Sequence, residues 1–305
     1  MRFGLHLPSA QAGANANDIL AVARAADRLG YDSVWMFDHL FTPVELESKY
    51  PYSSRGTYAL GPDDPFFDPL ALYGFIAGAT EKVRIGTGVL IGAYRHPIVL
   101  GKILSSIENL APGRIVLGMG AGWMREEFAA LGIDAHKRGA RLEEYVSALR
   151  AIWSGRSSFD GDFYSWPEGG FEPKPTAPIP IVLGGHGDRT LRRVARVADG
   201  WAAVTAPGQG AGLDGIAGRL DVLGGICEDE GRDFASLQIV YQHALWFSDQ
   251  PNAKLPLTGP PEEIAASIER LSLLGVSEVD LVVFGGGEQI VETAERFRSD
   301  VLPLL

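Results

Sequence analysis

The chain has 305 residues, with 27 Lys and Arg against 38 Asp and Glu, a formal charge of −11. That balance excludes the positive stripe by which a protein wraps nucleic acid or lies on an anionic membrane. Its apolar stretches are too short for a membrane span or, at the start Met1-Arg2-Phe3-Gly4-Leu5-His6-Leu7-Pro8, for a signal peptide, so a soluble cytoplasmic protein is expected. The single cysteine, Cys227, excludes an internal disulfide, and its helical surroundings predict a buried, inert thiol.

Short runs rich in β-branched residues alternate with longer amphipathic ones. In chain order the pattern predicts strands over 3–7, 33–37, 84–90, 114–118, 181–184, 200–203, 237–247 and 278–284. It predicts helices over 17–29, 69–79, 97–110, 141–153, 189–198, 214–230, 261–274 and 288–301. Asp68-Pro69 and His96-Pro97 mark helix starts, because proline at the first helical position gives up an amide that would lack a partner anyway. Eight strands, each followed by a helix, give an α/β fold of the (β/α)8 TIM-barrel type, one domain over 1–305. An open doubly wound sheet would call for an early Gly-x-Gly-x-x-Gly turn, which is missing. Insertions follow strand 2 (38–68), strand 4 (118–140) and the fourth helix (154–180). The first two belong to the face where barrels carry chemistry, while the third, with Phe163-Tyr164-Ser165-Trp166, reads either as a packing excursion or as an insertion folded up to the mouth. The Gly- and Pro-rich stretch 206–215 reads as a mobile loop after strand 6.

Five histidines fall on or just past strands: His6, His39, His96, His186 and His243. A barrel metal site needs a His pair on strand 1 and an acid at the end of strand 8, and only His6 and a mid-strand Asp280 stand there, so no metal is expected. Every lysine lies in a predicted loop or helix, which excludes the desolvated strand lysine of Schiff-base chemistry. A Gly-x-Ser-x-Gly nucleophile elbow is missing too. What remains is glycine at neighbouring strand ends, in Gly86-Thr87-Gly88-Val89, Gly118-Met119-Gly120-Ala121-Gly122-Trp123 and Gly184-Gly185-His186-Gly187-Asp188. Bare backbone there suits a broad planar ligand, with its phosphate seated on amides at a helix N-terminus after Gly184-Gly185.

Three segments carry a resemblance: Ser33-Val34-Trp35-Met36-Phe37-Asp38-His39, Arg84-Ile85-Gly86-Thr87-Gly88-Val89 and Pro112-Gly113-Arg114-Ile115-Val116-Leu117-Gly118-Met119-Gly120-Ala121-Gly122-Trp123. In this order they resemble the bacterial luciferase-like superfamily, and within it the oxidoreductases that use the deazaflavin coenzyme F-420. The match continues through Arg138-Gly139-Ala140-Arg141 and Pro180 to Gly185, ending at Ala198-Asp199-Gly200-Trp201. The resemblance implies a ring held over a non-prolyl cis peptide at Gly88-Val89, with Gly120, Ala121, Gly122 and Trp123 as a wall. It places Gly184, Gly185 and His186 at the phosphate, with Arg138 reaching toward it, although Gly139 stands where relatives often carry Tyr. Asp38 and His39 line the ring edge, His39 as the proton donor or acceptor and Asp38 to orient it or hydrogen-bond the ring.

The sugar-phosphate dehydrogenases of that branch carry a Glu where Trp123 stands, which argues against glucose 6-phosphate. Tyr50, Tyr52, Tyr58, Phe66 and Phe67 suggest a less polar substrate. The expected function is hydride transfer between F-420 and a small organic molecule. The alternatives are an FMN monooxygenase served by a separate flavin reductase, and a barrel that binds flavin without turnover. The resemblance further implies a homodimer or higher homo-oligomer.

Overall fold

A computed structural model of the chain describes residues 1–155, 158–204 and 212–305. The strands are β1 (Arg2–His6), β2 (Ser33–Met36), β3 (Arg84–Thr87), β4 (Ile115–Gly120), β5 (Ile181–Gly184), β6 (Gly200–Val204), β7 (Gln238–Ala244) and β8 (Glu278–Val282). They pair in parallel in the order β3-β2-β1-β8-β7-β6-β5-β4. The contacts Ile85 to Ile115 and Gly86 to Val116 join the two ends, so the sheet closes into a (β/α)8 barrel. Around it run α1 (Ala16–Leu29), α2 (Pro69–Ala79), α3 (Pro97–Leu110), α4 (Arg125–Ala130), α5 (Arg138–Ser154), α6 (Asp188–Val197), α7 (Gly212–Asp229), α8 (Pro261–Leu273) and α9 (Gly287–Arg296). None of these helices is long and apolar enough to cross a membrane.

Alternation along each strand sets two packing layers. Outward residues such as Leu5, Val34, Ile85, Leu117 and Leu183 join the helices in the main core. Inward, Trp35 packs with Val116, Val182, Ala202 and Val240. Its indole N–H donates to Ser33 Oγ at 2.8 Å and to Glu278 Oε1 at 3.1 Å. The same Glu278 pairs with Arg84 at 2.5 Å and Arg2 at 3.2 Å, tying β1, β2, β3 and β8 together at the N-terminal end of the barrel. Local chemistry starts the helices as expected: the Asp68 side chain accepts from the amides of Leu70 and Ala71 ahead of α2, and His96 caps α3 through Ile98 N.

The differences from the expected elements have identifiable causes. The third strand is interrupted after Thr87 by the cis Gly88-Val89 bond and resumes at Leu90–Ile91, beside Met119 and Gly120 of β4. The fourth runs two residues further than expected, to Gly120, because that short piece pairs with it. The seventh stops at Ala244, since Trp246–Phe247 pairs instead with Thr258–Gly259. The connection after β4 contains α4, which lies within a stretch expected to be loop. In the connection after α5, Phe159–Asp160 and Ser165–Trp166 form a small hairpin, and the chain then runs along α3, where Glu108 takes up Thr176 N and Ala177 N. That excursion is therefore hydrogen-bonded to the helix side at Glu108. Of the stretch 206–215, residues 206–211 lie outside the described residues, and 212–215 form the first turn of α7 rather than loop. Cys227 is buried in α7, where burial pushes its thiol up.

Candidate active site

At the C-terminal rim, the residues after β2 turn two neighbouring side chains into different surroundings. Asp38 is buried, accepts Ile91 N at 2.9 Å, and takes both arms of the Arg95 guanidinium at 2.7 and 2.9 Å. Arg95 continues to Asp68 at 2.6 Å, so the end of β2 is locked to the start of α2. Burial pushes the Asp38 carboxyl up, and Arg95 pulls the other way. Both oxygens of Asp38 are taken, and neither touches His39. The expectation that Asp38 orients the imidazole is therefore corrected.

That partner is Glu127, on α4. Its Oε2 accepts from His39 Nδ1 at 2.6 Å and from Tyr94 Oη at 2.7 Å, and its Oε1 accepts Leu40 N at 2.5 Å and Phe41 N at 3.1 Å. The carboxylate has no exposure. Against the upward push of burial, His39, Tyr94 and the Leu40 amide hold it below the ordinary glutamate value, so it is ionised at neutral pH. An ionised acceptor fixes the proton on Nδ1 of His39 and leaves Nε2 as the working nitrogen. Sequence reasoning missed Glu127, Tyr94 and Arg95 because it searched strand ends, whereas Glu127 sits in the first turn of a short helix. The adjacent acids Glu126 and Glu127, just past the Gly120-Ala121-Gly122 turn, were the available signal.

Aromatic rings surround His39. Tyr58, Phe66 and Trp123 stand 5.6, 5.4 and 5.8 Å from its ring centroid. Tyr50 and Tyr58 each pack on Trp123, at 5.1 and 5.2 Å, and Tyr52 packs on His186 at 5.1 Å. The segment after β2 thus lies across the rim from β1, where Phe67 N bonds Ser9 O, to the end of β5. Glu126 anchors it by accepting the amides of Glu47 and Ser48, both at 2.9 Å.

The Gly88-Val89 peptide is cis, as the resemblance implied. Val89 projects between β4 and β5: a Cβ on Gly120 would stand 2.5 Å from its Cγ2, and one on Gly184 2.8 Å from its Cγ1. The strand-end glycines thus make room for Val89 itself. Behind Gly88 lies a buried polar group, in which Asp280 Oδ2 meets His6 Nδ1 at 2.9 Å and accepts from Gln242 Nε2 at 2.7 Å.

At β5, Gly185 takes a φ of +121°, and Trp201 Nε1 donates to its carbonyl at 2.8 Å. Gly187 caps α6 without a side chain, so the helix presents unbonded amides. His186 Nε2 is buried and has no hydrogen-bond partner among the described residues, and burial, with the Arg219 charge, pulls this imidazole down to about 4. Arg138 opens α5 and, among the described residues, bonds only the Ala135 carbonyl, at 3.1 Å; no bond joins it to the 184–186 turn. His96 and His243 stand apart from the site, His96 capping α3 and His243 buried beside Tyr241 with Nδ1 on the Ala244 carbonyl.

The "F420-dependent glucose-6-phosphate dehydrogenase" of Beutenbergia cavernae is 33% identical over 199 residues, 63% of this chain and 54% of that protein. A Mycobacterium tuberculosis protein, "Uncharacterized protein Rv0940c", is 36% identical over 183 residues, 60% of this chain and 63% of its own length. The matched region thus spans less than two thirds of the length of these relatives. In fold, the "F420-dependent secondary alcohol dehydrogenase in complex with an F420-acetone adduct" superposes with a TM-score of 0.77 at 17% identity, covering 100% of this chain and 99% of that one. The family model described as luciferase-like monooxygenase matches residues 1–253, and the chain belongs to that family.

Proposed function

We propose that the chain is an oxidoreductase that moves a hydride between coenzyme F-420 and a small organic substrate, with His39 handling the proton. The observation that carries this reading is the His39–Glu127 couple: an imidazole fixed through Nδ1, which leaves Nε2 for chemistry, with the rings of Tyr58, Phe66 and Trp123 around it. The residues suit the cofactor on their own terms. The uncapped amides of α6 and the unpartnered His186 Nε2 offer donors to a phosphate, and the strand ends offer a backbone platform around Gly88 and Val89. When bound, a deazaflavin supplies a carbon that accepts or gives a hydride. Among the chain's own residues, Glu127 holds the tautomer, Nε2 of His39 gives or takes the proton at the substrate oxygen, and Tyr50, Tyr58, Phe66 and Trp123 keep water from the mouth.

Gly88, Val89, Gly120, Ala121, Gly122 and Trp123 form the ring side in this reading, and Gly184, Gly185, His186 and Arg138 the phosphate side. Asp38 contributes by locking the end of β2 to Arg95, as a positioning residue. The aromatic surroundings favour a substrate of low polarity bearing a carbonyl, an alcohol or an activated double bond. The chain then acts as a single barrel domain and a homo-oligomer on a small molecule.

The family description favours one further reading, an FMN monooxygenase working with a flavin reductase. Titration of the protein with F-420 and, in parallel, with FMN, following Trp and cofactor fluorescence, separates the two. Micromolar or tighter F-420 binding with weak FMN binding is expected, and the reverse preference, with oxygen uptake by the reduced complex, would overturn the hydride reading. A barrel without turnover predicts that His39→Ala changes nothing. Here that variant is expected to keep cofactor affinity while turnover falls about 100-fold or more.

A further inference from the structure

The arginines of α6 differ in how their charges are matched. Arg192 and Arg196 both reach Glu230, at 3.5 and 2.8 Å. Arg189 and Arg193 lie one turn apart on another face, and among the described residues Arg189 has no carboxylate partner. Among the same residues Arg193 has only Glu143, at 3.7 Å, and its buried Nε finds no hydrogen-bond partner there. Its guanidinium lies on the bare backbone of Gly139 in α5, with Cζ 3.0 Å and Nη1 3.5 Å from where a Cβ would stand. It thereby takes the space of the side chain that the resemblance led us to expect at 139. Arg138, the residue before, bonds a carbonyl and no acid. Burial, opposed by Glu143 and joined by the charges of Arg189 and Arg138, lowers the Arg193 guanidinium. On a chain of net charge −11, three cations are gathered around one carboxylate.

This group begins where the uncapped amides of α6 end. From Asp188 to Arg193 is five residues, about 7 Å along the axis. We propose that Arg189 and Arg193, with Arg138 at their edge, form a site for a chain of carboxylates continuing beyond a phosphate seated on α6. The proposal rests on the F-420 reading, because the glutamyl tail of that coenzyme has this chemistry, whereas FMN ends at its phosphate and leaves the site unused. Guanidinium groups suit the task, since their planar forks take carboxylates two bonds at a time.

The test measures dissociation constants of the full chain for three deazaflavins: one lacking the phosphate, F-420 without glutamates, and F-420 with several. The wild type is expected to bind the glutamylated form about tenfold more tightly than the form without glutamates. That gain should shrink in high salt. In Arg189→Ala/Arg193→Ala it is expected to vanish, with affinity for the form without glutamates kept within about twofold. Arg189→Glu, a change at an exposed side chain, should abolish the gain by itself and serves if the double variant fails to fold. Equal affinities in the wild type, or a gain that survives in the variants, overturns the tail site and leaves the F-420 reading standing. Failure of all three deazaflavins to bind, with FMN binding, overturns both.

Discussion

Glu127 receives four hydrogen bonds in a place without solvent, so its charge is an integral part of the rim. Replacing it with Gln keeps the shape and removes the charge. Glu127→Gln is expected to cost about 2 kcal/mol at neutral pH by urea denaturation and to lower turnover about 10- to 100-fold, with Glu127→Asp recovering part of it. A merely structural role would leave the pH profile of turnover unmoved, whereas loss of the fixed tautomer shifts it. The folded carboxyl sits below its ordinary value of 4.5, so its stabilisation is complete above that pH and is lost as pH falls through the folded value. The stability gap between wild type and variant should accordingly close in acid. His186 titrates in a higher window. Its folded value of about 4 lies below the ordinary 6.5, so the unfolded chain binds the extra proton and stability falls as pH drops from 6.5 toward 4. His186→Asn is expected to flatten that limb of the thermal-melting curve. At this scale the sequence drew attention to His39 and the strand-end glycines, and of the two roles it offered Asp38, orienting the imidazole is the one the geometry gives to Glu127 instead. Chain adjacency suggested Asp38, while the three-dimensional neighbour stands 88 positions away.

Val89 shows how elements meet at the site. Its side chain fills the gap left by glycines at the ends of β4 and β5. Gly120→Ala is expected to cost about 1–3 kcal/mol, and adding Val89→Ala should recover roughly 1 kcal/mol in a double-mutant cycle followed by thermal unfolding. The alternation of strands and helices was legible because each barrel strand is buried on both sides and each helix on one. The interruption of the third strand was legible only through resemblance, since nothing in the spacing of Gly86 to Leu90 distinguishes it from an unbroken strand. The stop at Ala244 was hidden for a related reason: Trp246 and Phe247 have strand-like character, and what decides their pairing is the remote segment Thr258–Gly259. The short helix carrying Glu127 was hidden by its length, only six residues, below what periodicity can register.

Across the whole molecule, barrel closure divides the labour between two ends. Buried Glu278, paired with the partly exposed Arg2 and Arg84, holds the N-terminal end across four strands, which leaves the opposite rim to vary. That the chain would close into a barrel followed from counting elements. How its long connections would lie did not, because aromatic residues such as Tyr50 and Tyr58 find their partners across the rim rather than along the chain. Trp123, Tyr50, Tyr58 and His186 are bridged by one segment whose amides are anchored at Glu126. In the proposed reading a ligand entering at this rim parts those rings first, which makes admission a unimolecular event preceding encounter. In stopped-flow mixing, the observed association rate should therefore level off as ligand concentration rises. Cutting the tether with Glu126→Ala should raise the plateau, and a rate still climbing linearly at high concentration would mean that the doorway stands open by default.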